Sequence, residues 1–134
     1  MRTHTTSIEI GSSAANAFAF VADGGKLPLW AIGFAKAIEP EGERWLVTLG
    51  SGERLALRID SDPATGVVDY VMLPALDVEA PAHTRVMPHA GGTLYAFSMH
   101  QTPDIADEVF DAQVAELERE LTVLKAHLET ACPL

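Results

Sequence analysis

The chain has 134 residues, of which 48% are hydrophobic and 21% charged, and 19 acidic against 9 basic side chains give a formal net charge of −10. That length suits a single domain covering residues 1–134, and so high an apolar fraction excludes a disordered acidic segment. The negative field repels phosphate backbones and anionic lipid, which sets aside nucleic acid and membrane surfaces as partners.

A single cysteine, Cys132, allows no intrachain disulfide. Met1 to Ser7 leads directly into a strand-like pattern rather than an apolar signal core. The longest wholly apolar stretch, Ala17 to Ala22, falls far short of the roughly 18 residues a membrane-spanning helix needs. The expectation is a cytoplasmic protein with no membrane insertion.

Residues 4–10 alternate, with Thr6, Ile8 and Ile10 on one side and Thr5, Ser7 and Glu9 on the other, the period of a half-buried strand. The period then changes. After Gly11-Ser12-Ser13, a capping signal, Ala14, Ala17, Phe18 and Val21 fall on one face of a short helix that Asp23-Gly24-Gly25 ends. A second short helical turn covers Lys26 to Ile32 and carries Trp30. Turn chemistry at Glu41-Gly42, Gly50-Ser51-Gly52, Asp60 to Gly66 and Pro88 to Gly92 then separates six strands near 34–39, 44–49, 53–60, 67–73, 77–87 and 93–101.

Thr102-Pro103 reads as the start of a long helix, with Asp104, Asp107 and Glu108 at the positive end of its dipole. Phe110, Val114, Leu117, Leu121, Leu124 and Leu128 form a continuous apolar stripe, while Glu116, Glu118, Arg119, Glu120 and Glu129 belong to an opposite, solvated face. These elements predict an α+β fold. A seven-stranded, curved antiparallel sheet wraps around the C-terminal helix, with two short helices between the first two strands. A curved sheet touches a straight helix along only part of its length, so the space between them is a candidate binding cavity.

The segments Ala14 to Trp30 (AANAFAFVADGGKLPLW), Gly66 to Tyr70 (GVVDY), Arg85 to Pro88 (RVMP), Gly92 to Phe97 (GTLYAF) and Asp107 to Glu129 cover nearly the whole chain in order. Together they resemble the START-like helix-grip superfamily (SRPBCC), and within it the small bacterial proteins labelled polyketide cyclase/dehydrase-like. The resemblance implies the helix-grip fold and a cavity for hydrophobic ligands such as lipids, sterols or polyketides. Some members catalyse cyclisation or dehydration there.

Pairing across the Pro88 to Gly92 hairpin that sets Ala80 opposite Met99, Ala82 opposite Phe97 and Thr84 opposite Tyr95 matches small to large side chains three times. On that register Thr84, Tyr95, Phe97 and Met99 line the interior, Glu79 lies near His100, and His83 and Arg85 face outward. Pro81 is expected to force a bulge; a change of parity there would turn Arg85 inward as an anion anchor. Trp30 and Trp45 offer either pocket walls or core packing. Tyr70 and Met72, with Phe110 and Val114 from the helix, extend the same apolar lining.

Only one of Asp69 and Tyr70 faces inward. An inward Asp69 would have a raised pKa and act as a general acid or base, whereas an outward one is an ordinary solvated carboxylate. An inward Tyr70 would orient a ligand carbonyl. Asp69, Tyr70 and Tyr95 are therefore the candidates for chemistry. The histidines His4, His83, His89, His100 and His127 lack close metal-ligand spacing, and neither a metal nor a cofactor is implied. Three functions follow: binding of a small hydrophobic or aromatic molecule, a cyclase/dehydrase-type enzyme using cavity Tyr and Asp groups, or a protein-association module such as a homodimer. Binding leads, because on this register no histidine reaches the interior to complete an acid–base pair.

Overall fold

A computed structural model describes Met1 to Leu134 in full. Strand β1 (Thr3–Ile10) is followed by helix α1 (Ala14–Val21), a 3-10 turn (Gly24–Lys26) and the one-turn helix α2 (Leu27–Trp30). Strands β2 (Ala37–Glu41), β3 (Arg44–Thr48), β4 (Arg54–Asp62), β5 (Val67–Ala75), β6 (Val78–His89) and β7 (Gly92–His100) precede helix α3 (Asp107–Ala131). Every pairing is antiparallel, in the order β1-β7-β6-β5-β4-β3-β2, so the first two strands are the two edges. No helix is long and apolar enough to cross a membrane.

Local chemistry explains most boundaries. The Ser13 side chain accepts a hydrogen bond from Asn16 N at 3.1 Å and starts α1, and Asp23 accepts from Gly25 N at 3.0 Å to start the 3-10 turn. Strand β2 begins at Ala37 rather than near residue 34, because the amides of Gly33 and Phe34 are bound by a side chain of α3 instead of a neighbouring strand. Helix α3 begins at Asp107, not at Thr102-Pro103. Thr102 spends its hydroxyl on Asp104, and the buried Gln101 side chain holds the intervening turn by donating to Ile105 O and Asp107 Oδ1, both at 2.9 Å.

The β6–β7 register differs from the expected one by two residues. The structure pairs Thr84 with Phe97 and Val86 with Tyr95, around a two-residue turn at Ala90-Gly91 whose φ angles are 51° and 79°. Positive φ at both turn positions matches the right-handed twist of the flanking strands and fixes the hairpin. A slip of two keeps every side chain on its expected face. Pro81 causes no bulge, since it pairs regularly with Val71; the irregularity lies in β5 between Met72 and Ala75. Arg85 accordingly stays outside and donates to Thr65 O, while Glu79 pairs with Arg58 of β4 rather than approaching His100.

Residues directly opposite one another share a face, so the registers define the inner surface. Val47, Leu57, Val68, Tyr70, Val86 and Tyr95 lie there and are buried. They meet Leu117, Leu121, Leu124 and Leu128 of α3 and Phe20, Val21, Leu27 and Trp30 of the short helices in one core.

Candidate functional site

The middle of the inner surface is aromatic. Tyr70 of β5, with Tyr95 and Phe97 of β7, meets Trp30 from the end of α2. The rings contact one another with centroids 6.2 to 6.4 Å apart: Trp30 on Tyr70 and edge-on to Tyr95, and Phe97 stacked on Tyr70 and edge-on to Tyr95. Trp30, Tyr70 and Tyr95 are buried, while Phe97 is half-buried. Alternation along β5 explains which residue enters: Tyr70 brings an apolar ring, whereas an unpaired carboxylate there would pay a large desolvation cost.

Polar atoms inside this cluster are unequally satisfied. The Tyr70 hydroxyl donates to Val21 O, and the Thr84 hydroxyl donates to Val68 O at 2.6 Å. The Tyr95 hydroxyl lies beside both, and their oxygens keep lone pairs that can accept its proton, whereas the Trp30 indole N–H has no partner. Burial pushes the phenols of Tyr70 and Tyr95 well above their ordinary range, so both remain protonated. Buried donors without partners are uncommon, and each calls for an explanation.

The other expected lining residues divide. Thr84 belongs to the cluster, and half-buried Met72 and Met99 pack against the core around it. Trp45 does not join it. Its indole presses on Gly24, where an added Cβ would lie 2.4 Å from the ring, so its role is to hold the 3-10 turn against the sheet. Phe110 is buried outside the main core under the Arg2 guanidinium, 5.0 Å from the ring centre, and Val114 is half-buried beyond that core. Asp69 points outward and meets His83 Nδ1 at 3.1 Å. Shallow depressions open between Asp69, His83, Arg85 and Ser98 and around Glu9, His89 and Lys125; neither borders the aromatic cluster, whose rings fill the space between sheet and helix where the sequence predicts a cavity. No three His, Cys, Asp or Glu side chains are grouped to hold a metal ion.

Two side chains depart from the sequence expectation. His4 lies on the inner face of β1, opposite Met99, where it meets Glu118 at 3.1 Å. Glu120, assigned above to the solvated back of α3, is only 6% exposed. One carboxylate oxygen accepts from Gly33 N and Phe34 N, both at 3.1 Å, and so ties the segment after Trp30 to the long helix. Desolvation pushes its pKa up to about 7 against the opposing effect of the two amides. Its position was legible in principle: Glu120 lies three residues after Leu117 and four before Leu124, on the flank of the apolar stripe.

No protein-family model matches the sequence, and no curated protein matches it. Solved structures do. An uncharacterized protein from Bacillus thuringiensis superposes with a TM-score of 0.77 at 18% identity, covering 94% of this chain and 98% of its own. A START superfamily protein from Mycobacterium smegmatis gives 0.73 at 13% identity, covering 96% and 97%. The di-domain ARO/CYC protein BexL from the BE-7585A biosynthetic pathway gives 0.73 at 18% identity, covering 98% of this chain and 48% of BexL. The chain therefore has the START-like helix-grip fold, as its motifs suggested.

Proposed function

We propose that this protein binds a small, mainly apolar organic molecule between the inner face of the sheet and α3, beside Trp30, Tyr70, Tyr95 and Phe97. The observation that carries this reading is the buried Trp30 indole N–H, a donor without a partner within an otherwise apolar aromatic cluster. An apolar lining with a few polar groups is the usual make-up of a ligand site. The START superfamily and ARO/CYC structures of the same fold are consistent with it. Binding is favoured over cyclase/dehydrase chemistry because Asp69 faces away, Glu120 is engaged by two backbone amides, and the inner-face His4 pairs with the solvent-exposed Glu118 rather than with a group of the aromatic cluster.

Native mass spectrometry of freshly purified protein tests the reading. A co-purifying small molecule is expected, and Tyr95→Phe should weaken its retention while Asp69→Asn leaves it unchanged. Protein that carries no molecule and takes up none from an apolar metabolite extract would refute it, and sensitivity to Asp69→Asn would move the site to the outer face.

A further inference from the structure

The geometry points to a site for a divalent transition-metal ion, of the kind that takes Zn²⁺, on the outer face of the sheet, with His83 and His100 as its protein ligands and Asp69 behind them. The site is separate from the aromatic cluster and does not depend on the binding reading above. His83 of β6 lies opposite Ser98 of β7, and His100 follows Ser98 by two positions, so the two imidazoles are diagonal neighbours on one face. Their ring centres are 5.5 Å apart. Two imidazoles sharing a tetrahedral Zn²⁺, with each ligating nitrogen about 2.1 Å from the ion, hold their ring centres about 5 Å apart. Both rings are exposed, and His100 ends its strand, so a small turn of that side chain closes the difference.

Asp69 decides which nitrogen is offered. It lies directly opposite His83 on β5 and meets Nδ1 at 3.1 Å. A carboxylate only accepts, so in the neutral imidazole Nδ1 carries the proton and Nε2 keeps the lone pair that a metal needs. A carboxylate behind the ring is the usual support of a metal-binding histidine and raises its basicity. No other histidine combines the two features: His4 and His89 each meet one carboxylate, Glu118 and Glu9, and His127 packs on Phe20. Charge favours a cation as well. Arg85, the one strong base at this depression, is turned to Thr65 O, and the chain carries a net charge of −10. Imidazole ligands select Zn²⁺ or Cu²⁺ over Mg²⁺ and Ca²⁺, which take oxygen ligands. The protein supplies two ligands and no third, which leaves water to complete the coordination. Spacing along the chain conceals the pair, because only the β6–β7 register brings the two rings together.

Zinc chloride titrated into metal-free protein, followed by calorimetry and by the ring nitrogen resonances of the histidines, tests the assignment. Cys132→Ser protein is used throughout, so that the lone thiol does not compete for the ion. One ion per chain is expected, with His83 Nε2 and a ring nitrogen of His100 shifting together while His4, His89 and His127 stay in place. His83→Ala and His100→Ala should each weaken binding by about tenfold or more, and Asp69→Asn by about tenfold, the usual effect of losing the carboxylate behind a ligating histidine. His89→Ala should leave the affinity unchanged, and magnesium chloride should cause none of these shifts. All three site residues lie on the outer face, so the metal-free variants should melt as the parent does. If the double variant His83→Ala, His100→Ala binds Zn²⁺ as tightly as the parent, or if all five histidines shift to the same extent, the binding is adventitious and the assignment falls. Unchanged affinity in Asp69→Asn would overturn the orienting role of that carboxylate.

Discussion

Glu120 shows how one side chain can be both a fastener and a liability. Its carboxylate secures the Gly33 and Phe34 amides, yet burial raises its pKa from 4.5 to about 7. Between these values the folded chain keeps a proton that the unfolded chain has released. The stabilisation from that proton is complete below about pH 4.5 and is lost as pH rises through 7. Glu120→Gln retains an acceptor oxygen without the charge. Relative to the parent, the variant should be about equally stable at pH 4.5 and more stable at pH 8 by on the order of 1–3 kcal/mol. Urea unfolding at the two pH values measures this, and a constant difference between them would contradict it. Sequence alternation placed Tyr70 and Asp69 on opposite faces, and the cost of burying a bare carboxylate favoured the tyrosine inside. The same cost argument led away from Glu120, because its compensating amides come from residues more than eighty positions earlier in the chain. Only the folded structure brings them together.

At the scale of elements, the apolar stripe of α3 was legible because its spacing repeats over many turns, but its start was not. Thr102-Pro103 has suitable capping chemistry; the decisive residue is Gln101, whose buried amide group receives Arg2 N at 3.1 Å and donates to Ile105 O and Asp107. One side chain thus joins the start of β1 to the start of α3. Gln101→Ala should cost about 1–3 kcal/mol by leaving these groups unpaired, with the loss read from chemical denaturation. A change within 0.5 kcal/mol would mean that water replaces the amide without penalty. The polar face of α3 likewise has a structural role. Lys125 donates to Glu9 O at 2.7 Å and Glu129 accepts from Gly11 N at 2.7 Å, so this helix occupies backbone groups along the otherwise open edge of the sheet. An unpaired edge invites pairing with another chain.

Over the whole molecule, the two sheet edges are managed differently. The β1 edge is covered by α3, whereas β2 is five residues long, mostly exposed and interrupted by Pro40, which has no amide proton to donate. Amide hydrogen exchange should therefore be fastest in β2 and slowest at Val68, Tyr70, Val86 and Tyr95 in the central strands. Uniform protection across the seven strands would refute that gradient. The net charge of −10 also has a more specific meaning than solubility. Asp111, Glu118 and Glu129 pair with Arg2, His4 and Gly11 along the first strand, so part of the acidity joins the two ends of the fold.

The pairing of β1 with β7 also constrains the order of folding. Thr3 lies opposite His100, and the helix that covers the same strand ends at Ala131. During synthesis the first strand has no native neighbour until the seventh has left the ribosome. Its alternating apolar residues remain available to wrong partners for nearly the whole time the chain is being made. Bringing together contacts so distant in sequence is slow, and it leaves the nascent chain exposed to aggregation. A break in translation before residue 92 would leave β1 without its partner strand and one sheet edge open, so a chain that short cannot assemble this fold.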